Sequence, residues 1–460
     1  MPDPQVHKMS RWTFRSCLAW FLGGCAGLLL LLTVIVLGSF RSTQNLVRTE
    51  LQRAVENGQP IDDASMSDWF RAQTHAEGSE AWRNVIDLAD AGLKAFPKAD
   101  ELPIVGQAEL PMHLQPGVAW PEEPLVAEFL ELNRSLIEAI DQSSQYPTPI
   151  WLPIEFQGAD TPLPELQSAR EIARFLQLEF FHAVYHQDNE RAKRAVKLLK
   201  FNADAFDWNT FVMTDILHDA LEGIYLRVIA KSMEYSFWNK EELRSLIDET
   251  RLADDFVKSW KTVMAGERYT FLRHSNAGQL SPGSPKVPLQ LMKLPQTQLK
   301  ILEVVRAAQE VEGGTLEGFL GKLHQFDQEI QNEMQSMPYH PGNIALSILM
   351  PACGAYADFK ERTEDTRRFM RTGLAIKLYQ LENGRWPSDL RQLKSVGATV
   401  DDWTTLQSGV FGYVVEEDHA WLWTYSWQDR PPSIPANRPE TDSEKSAGLV
   451  PSPQLLRIQP

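Results

Sequence analysis

The sequence predicts a mainly α-helical protein: a single N-terminal transmembrane helix, an ectodomain of helix hairpins, and a small C-terminal α+β module containing a β-hairpin. Three observations carry this. No charged residue interrupts the chain between Arg15 and Arg41, a stretch that contains the apolar run Cys17–Leu37. Apolar residues recur at helical spacing from Pro164 to Trp260. After Asn383-Gly384 the period changes to the alternation of strands.

Cys17–Leu37 is long enough to cross a bilayer, since a helix of about 21 residues spans about 30 Å. A cleaved signal peptide has an apolar core of roughly 7–15 residues and a small-x-small exit. This core is longer, and Val36, Gly38 and Ser39 make a poor exit. Leu22-Gly23-Gly24-Cys25 hints at a lipoprotein signal, but the most apolar run, Leu28–Leu37, follows that cysteine and would stay on the mature chain. The reading is an uncleaved anchor over 17–38 with a short cytoplasmic tail, 1–16. Lys8, Arg11 and Arg15 precede the span and Arg41, Arg48 and Arg53 follow it; the short basic tail beside the first span tips the choice to tail-inside. The bulk is then expected outside the cytoplasm, at the cell membrane.

The 460 residues carry a formal charge of −16, which argues against a nucleic-acid or anionic-lipid surface, because either requires clustered Lys and Arg. With 43% hydrophobic residues the chain can bury proper cores. Cys17 and Cys25 lie in the span, so Cys353 alone remains in the body and no intrachain disulfide is expected there.

Beyond the span, 41–58 reads as a helix leaving the membrane, with Leu46, Leu51 and Val55 in a loose stripe. Prolines break 60–164 into pieces, among them a helix over Ser79–Phe96 and another over Pro124–Asp141. Tyr146–Pro164 is expected to be an ordered wrapping loop, since Trp151 and Phe156 need burial. Four amphipathic helices follow: Leu166 to Ala183, Ala192 to Phe206, Val212 to Tyr235, and a fourth capped by Asn239 with Glu242 and running through Trp260. Short turns make them antiparallel neighbours, and no fixed repeat period is present. The helical ectodomain is placed at 41–275 and a Pro/Gly/Ser-rich linker at 276–297. A helical segment follows at 298–360, then the α+β module at 361–430 and a disordered tail at 431–460. In the hairpin, alternation puts Trp421, Trp423, Tyr425 and Trp427 on one face, expected to be buried on the 361–382 helix together with Trp386.

Leu374–Leu393, LAIKLYQLENGRWPSDLRQL, resembles the helix and exit loop of type II secretion pseudopilin heads. It departs from them in lying some 350 residues after the span and in lacking a prepilin-peptidase motif. Over most of its length the chain resembles a group of uncharacterised single-anchor bacterial membrane proteins. That resemblance rests on the helix Pro162–Leu176, the A-G-E-R of Ala265–Arg268 and the Y-x-x-x-N-G-x-W-P element. It implies no known activity.

Two helix faces have metal-ligand residue types. Glu179, His182 and His186 share one face, and Asp215, His218 and Glu222 share another at i, i+3, i+7. Facing each other, they would make a carboxylate–histidine centre of the kind found between bundle helices. Against this stand the absence of HExxH and the ease with which polar residues fall at such spacing on a free face. No nucleophile elbow, Walker A or dinucleotide glycine motif is present, and Cys353 has no recognisable histidine partner. The reading therefore assigns no catalytic, cofactor or metal residue and no cofactor.

The function expected is that of a membrane-anchored, non-enzymatic protein whose helical body contacts an unidentified protein partner and no nucleic acid. One alternative is an accessory component of a secretion or pilus-like envelope system. The other is a metal-dependent enzyme using the Glu179/His182/His186 and Asp215/His218/Glu222 faces.

Overall fold

A computed structural model describes residues 11–110, 114, 118–158, 160–251, 256–277, 293–337, 342–343, 353–416, 419–424 and 455–459. Side chains are described from Leu28 onward, except those of Leu29, Lys94, Phe256, Asn276, Ala277 and Leu455. Helix α1 runs unbroken from Arg11 to Glu56 because no proline interrupts it. It has two surfaces in series. Leu28 and Leu30–Leu37 are exposed, whereas farther on Val47 and Ala54 are buried against the body. By length and composition, this N-terminal helix can cross a membrane.

The first core gathers α2 (Asp63–Gln73), α3 (Ser79–Ala95), α4 (Glu123–Leu132), α5 (Arg134–Ser143), α6 (Pro164–Tyr185), α7 (Asn189–Ala205), α8 (Val212–Ser232) and α9 (Lys240–Glu249). Expected antiparallel neighbours do pack: α6 on α7, and α7 on α8. Trp82 of α3 is fully buried, stacked on Phe201 at 5.6 Å and edge-on to Phe206 at 5.4 Å. The wrapping loop is tied at two points. Trp208 Nε1 donates to the Ile150 carbonyl at 2.8 Å, and Ser79 Oγ donates to that of Trp151 at 2.7 Å. Phe156 is buried as expected, while Trp151 is half-buried with the Arg71 guanidinium 4.8 Å from its ring.

The second core joins the lower half of α1 to α10 (Phe256–Ala277), α11 (Pro295–Gln309), α12 (Leu316–Ser336) and the start of α13 (Cys353–Asn383). The fourth expected helix is thus two, α9 and α10. The Ala265–Arg268 motif sits inside α10, where several contacts meet. A Cβ on Gly266 would lie 1.7 Å from the Thr210 carbonyl oxygen, so α10 touches that backbone directly. Glu267 accepts the Val212 N–H at 3.0 Å at the start of α8, and Arg268 donates to Gln59 beyond α1.

Helix α13 spans both cores. Cys353, Tyr356 and Ala357 lie in the second; Phe369, Met370, Leu374 and Leu378 lie in the first with α6–α9. Glu361, expected to open a separate module, falls in the middle of this helix. The helix stops as expected at Asn383-Gly384, with Gly384 left-handed at φ 64°. Most of the expected linker 276–297 lies outside the described residues, as do Ile344–Met350, Tyr425 and Trp427.

The hairpin forms from β1 (Gly412–Glu416) and β2 (His419–Trp423), antiparallel with Tyr413 opposite Leu422. A third strand, β3 (Leu455–Ile458), pairs antiparallel with β2 and completes the sheet, which corrects the disordered-tail reading for these residues; 431–454 lie outside the described residues. The expected aromatic face is also reversed. Ala420 and Leu422 are buried with Leu456 and Ile458, while Trp421 and Trp423 are half-buried on the opposite face. The sheet lies too close to α13 for indoles, since a Cβ on Gly373 would stand 2.6 Å from Leu456 Cδ2. Trp386 is half-buried at the edge of the first core.

Candidate functional site

Helix α6 begins at Pro164, well placed in a first turn, and ends at Tyr185, capped by His186 beside Gln187, whose φ is 59°. That tight turn brings α7 back antiparallel and sets Arg191 over Glu179. The two form a bidentate pair, with Nη2 2.5 Å from Oε2, and Glu179 is thereby removed from the expected histidine set. A different carboxylate takes its place. Glu123, the first residue of α4, puts Oε1 3.3 Å from His182 Nε2 and 2.9 Å from His186 Nε2. The three donor atoms lie within 4.8 Å of one another.

His182 is buried, and its Nδ1 has no hydrogen-bond partner among the described residues. Burial, and next the Arg191 charge, push its pKa down to about 4, so the ring is neutral at pH 7. His186 is exposed. Trp120 covers the cluster, its ring 6.4 Å from His182 and edge-on to Tyr185 at 5.5 Å. Sequence spacing identified both histidines. It could not find Glu123, 59 residues from His182 in the chain.

The α8 face has another fate. Asp215 and Glu222 point at α13, where cations meet them. Lys360 Nζ lies 2.8 Å from Asp215 Oδ2 and 2.5 Å from Asp219 Oδ2. Tyr356 OH donates to Asp215 at 2.5 Å. Arg367 grips Glu222 through two nitrogens, Nε at 2.9 Å from Oε1, and stands 3.6 Å from Asp219 Oδ1. The chain of charges continues through Glu364 to Arg371, which donates to Asp402 at 2.8 Å and to the Thr250 carbonyl at 2.5 Å. Arg367 holds the Glu222 carboxyl down at about 2 despite burial. His218 stands at the edge of this row, with Nδ1 3.6 Å from Asp207 and 3.9 Å from Asp219 Oδ1. The two expected faces therefore have different partners and form no shared centre.

A third group, His324, Asp358 and Glu361, joins α12 to α13 on the surface, with His324 Nε2 3.5 Å from Asp358 Oδ1. A cleft of about 640 Å³ is lined by Leu114, Glu234, Tyr235, Phe237, Arg457 and Gln459. Beneath it the buried Lys377 ammonium donates to the Gln459 carbonyl. Cys353 is buried, and its thiol is pushed up to about 12, first by burial and then by the Asp327 charge, so it is no thiolate nucleophile at neutral pH. Comparisons with protein-family models, curated proteins and solved structures found no match for the chain.

Proposed function

We propose that the protein is a single-pass membrane protein whose helical body, held outside the cytoplasm, docks a protein partner at the membrane surface. The observation that carries this is the two-part surface of α1. Leu28 and Leu30–Leu37 are exposed and include Leu, Val and Ile, and the same helix then enters the second core through Val47, with Ala54 also buried. An exposed apolar band of this kind is stable in lipid and unfavourable in water. Arg306 fastens the helix, 3.3 Å from Glu50. The antiparallel pairs α6/α7 and α7/α8 build a layered helical surface, and the −16 charge favours a basic or neutral partner over nucleic acid.

The experiment is fractionation followed by cross-linking. Full-length protein is expected to stay in membranes through a high-salt wash, and protease added outside the cytoplasmic membrane is expected to digest the body. In-membrane cross-linking should then capture one recurrent partner. A mature N-terminus near Phe40, or a protected body, would overturn the topology. A second reading, an accessory part of a secretion or pilus-like envelope machine, draws support from the order of the C-terminal elements. There a long helix is followed by a three-stranded antiparallel sheet packed against it. Identification of the cross-linked partner as a secretion component would favour it.

A further inference from the structure

We infer that Glu123, His182 and His186 form a binding site for one divalent metal ion of the zinc class, where the start of α4 meets the end of α6. The argument is geometric and does not depend on the membrane reading. His182 and His186 stand one helical turn apart, so both Nε2 atoms reach the same side of α6. A tetrahedral zinc ion with bonds of about 2.0–2.1 Å holds neighbouring donor atoms about 3.3 Å apart. Glu123 Oε1 lies 3.3 Å and 2.9 Å from the two imidazole nitrogens, and all three donor atoms lie within 4.8 Å of one another, a span that closing up of the exposed His186 brings to tetrahedral spacing.

Donor chemistry selects the ion. Two imidazoles and one carboxylate suit zinc and its transition-metal neighbours, whereas calcium and magnesium require mostly oxygen. The single carboxylate leaves a bound dication with one net positive charge. The exposed His186 marks the entry path, and three protein ligands leave a fourth position open. The cation nearby, Arg191, is already paired with Glu179.

Neither of the other two groups is equally free to bind. In the His218, Asp219 and Glu222 group the carboxylates are neutralised by Lys360 and Arg367. His324, Asp358 and Glu361 form a group with no buried ligand. Among the three, only the α4–α6 group combines a buried imidazole, an accessible one and a carboxylate with no Lys or Arg bridge among the described residues.

The test uses full-length protein in detergent, stripped with chelator and titrated with zinc, then with cobalt as a spectroscopic probe. One ion per chain is expected, with the visible absorption of a low-symmetry cobalt site and a rise in melting temperature on loading. Glu123→Gln and His186→Ala should each lose the bound ion while keeping the unliganded circular dichroism melt; His218→Ala should retain it. His186 is exposed, so its truncation separates ligand loss from misfolding. Failure to bind zinc stoichiometrically would overturn the assignment, as would binding that survives both Glu123→Gln and His186→Ala.

Discussion

Lys360 of α13 places its ammonium 2.5 Å from Asp219 Oδ2 on α8, inside a region closed to solvent on both sides. Two elements 141 residues apart in sequence, at Lys360 and Asp219, are thus joined by charge as well as by packing. Removing one partner from such a pair costs about 3–5 kcal/mol, because the other is left buried and uncompensated. Lys360→Met is therefore expected to lower stability by that order, since among the described residues it leaves Asp215 with only the Tyr356 hydroxyl and Asp219 with only the more distant Arg367 and His218. Combining it with Asp219→Leu should recover part of the loss. Denaturant midpoints of the full-length protein in detergent measure both, and additive losses would exclude the coupling.

At Gly266 the prediction is steric. An added methyl would overlap the Thr210 carbonyl, which is backbone and cannot swing aside. Gly266→Ala should destabilise by about 1–3 kcal/mol, the usual cost of overpacking, even though alanine favours helix. A thermal melt that moves upward would refute the close approach of α10.

The pH dependence has two limbs with opposite signs. Burial raises Glu267 from 4.5 to about 7, so the folded state holds more protons than the unfolded between those values, and stability falls as pH climbs through that window. Glu222 is lowered from 4.5 to about 2, so its contribution is complete above 4.5 and is lost as pH falls toward 2. Glu267→Gln, which keeps an acceptor for the Val212 N–H, should flatten the first limb and leave the second unchanged. Midpoints measured from pH 3 to 8 distinguish the two limbs.

Lys377 offers a third titration. Its amine is buried, with no carboxylate bridging it among the described residues, and desolvation lowers it from 10.5 to about 8. Between those values the unfolded chain holds the extra proton, so stability rises with pH across this window. Lys377→Met should raise the midpoint at pH 7 and lose that advantage by pH 10.5. An equal gain at both pH values would mean that packing, not charge, is responsible.

The C-terminal region should not unfold alone. Leu378 lies in the same core as Phe175 and Tyr225, so Leu378→Ala, at a cost of about 2–5 kcal/mol, is expected to loosen α6–α9 together with the sheet. Trp386→Ala, at a half-buried edge position, should cost less. Limited proteolysis of Leu378→Ala that spares 164–250 while clipping 384–424 would show the cores to be separable.

Local pattern was enough to read the helices. Periodicity placed α6, α7 and α8, the Asn239 cap placed the start of α9, Asn383-Gly384 marked the stop of α13, and the uncharged run of Cys17–Leu37 marked the apolar stretch of α1. These follow from residues within a few turns of one another, where spacing alone decides which side chains share a face. Partnership was decided elsewhere. Glu179 pairs with Arg191 and yields its place to Glu123, because the turn at Gln187 and the packing of α4 bring those groups in. Asp215 and Glu222 became ion partners of α13 because Lys360 and Arg367 arrive on a helix more than a hundred residues later. The outward Trp421 and Trp423, and the late strand Leu455–Ile458, depend on how near the sheet lies to Gly373. Alternation fixes that two faces exist; only the distance to the next layer says which of them is inside.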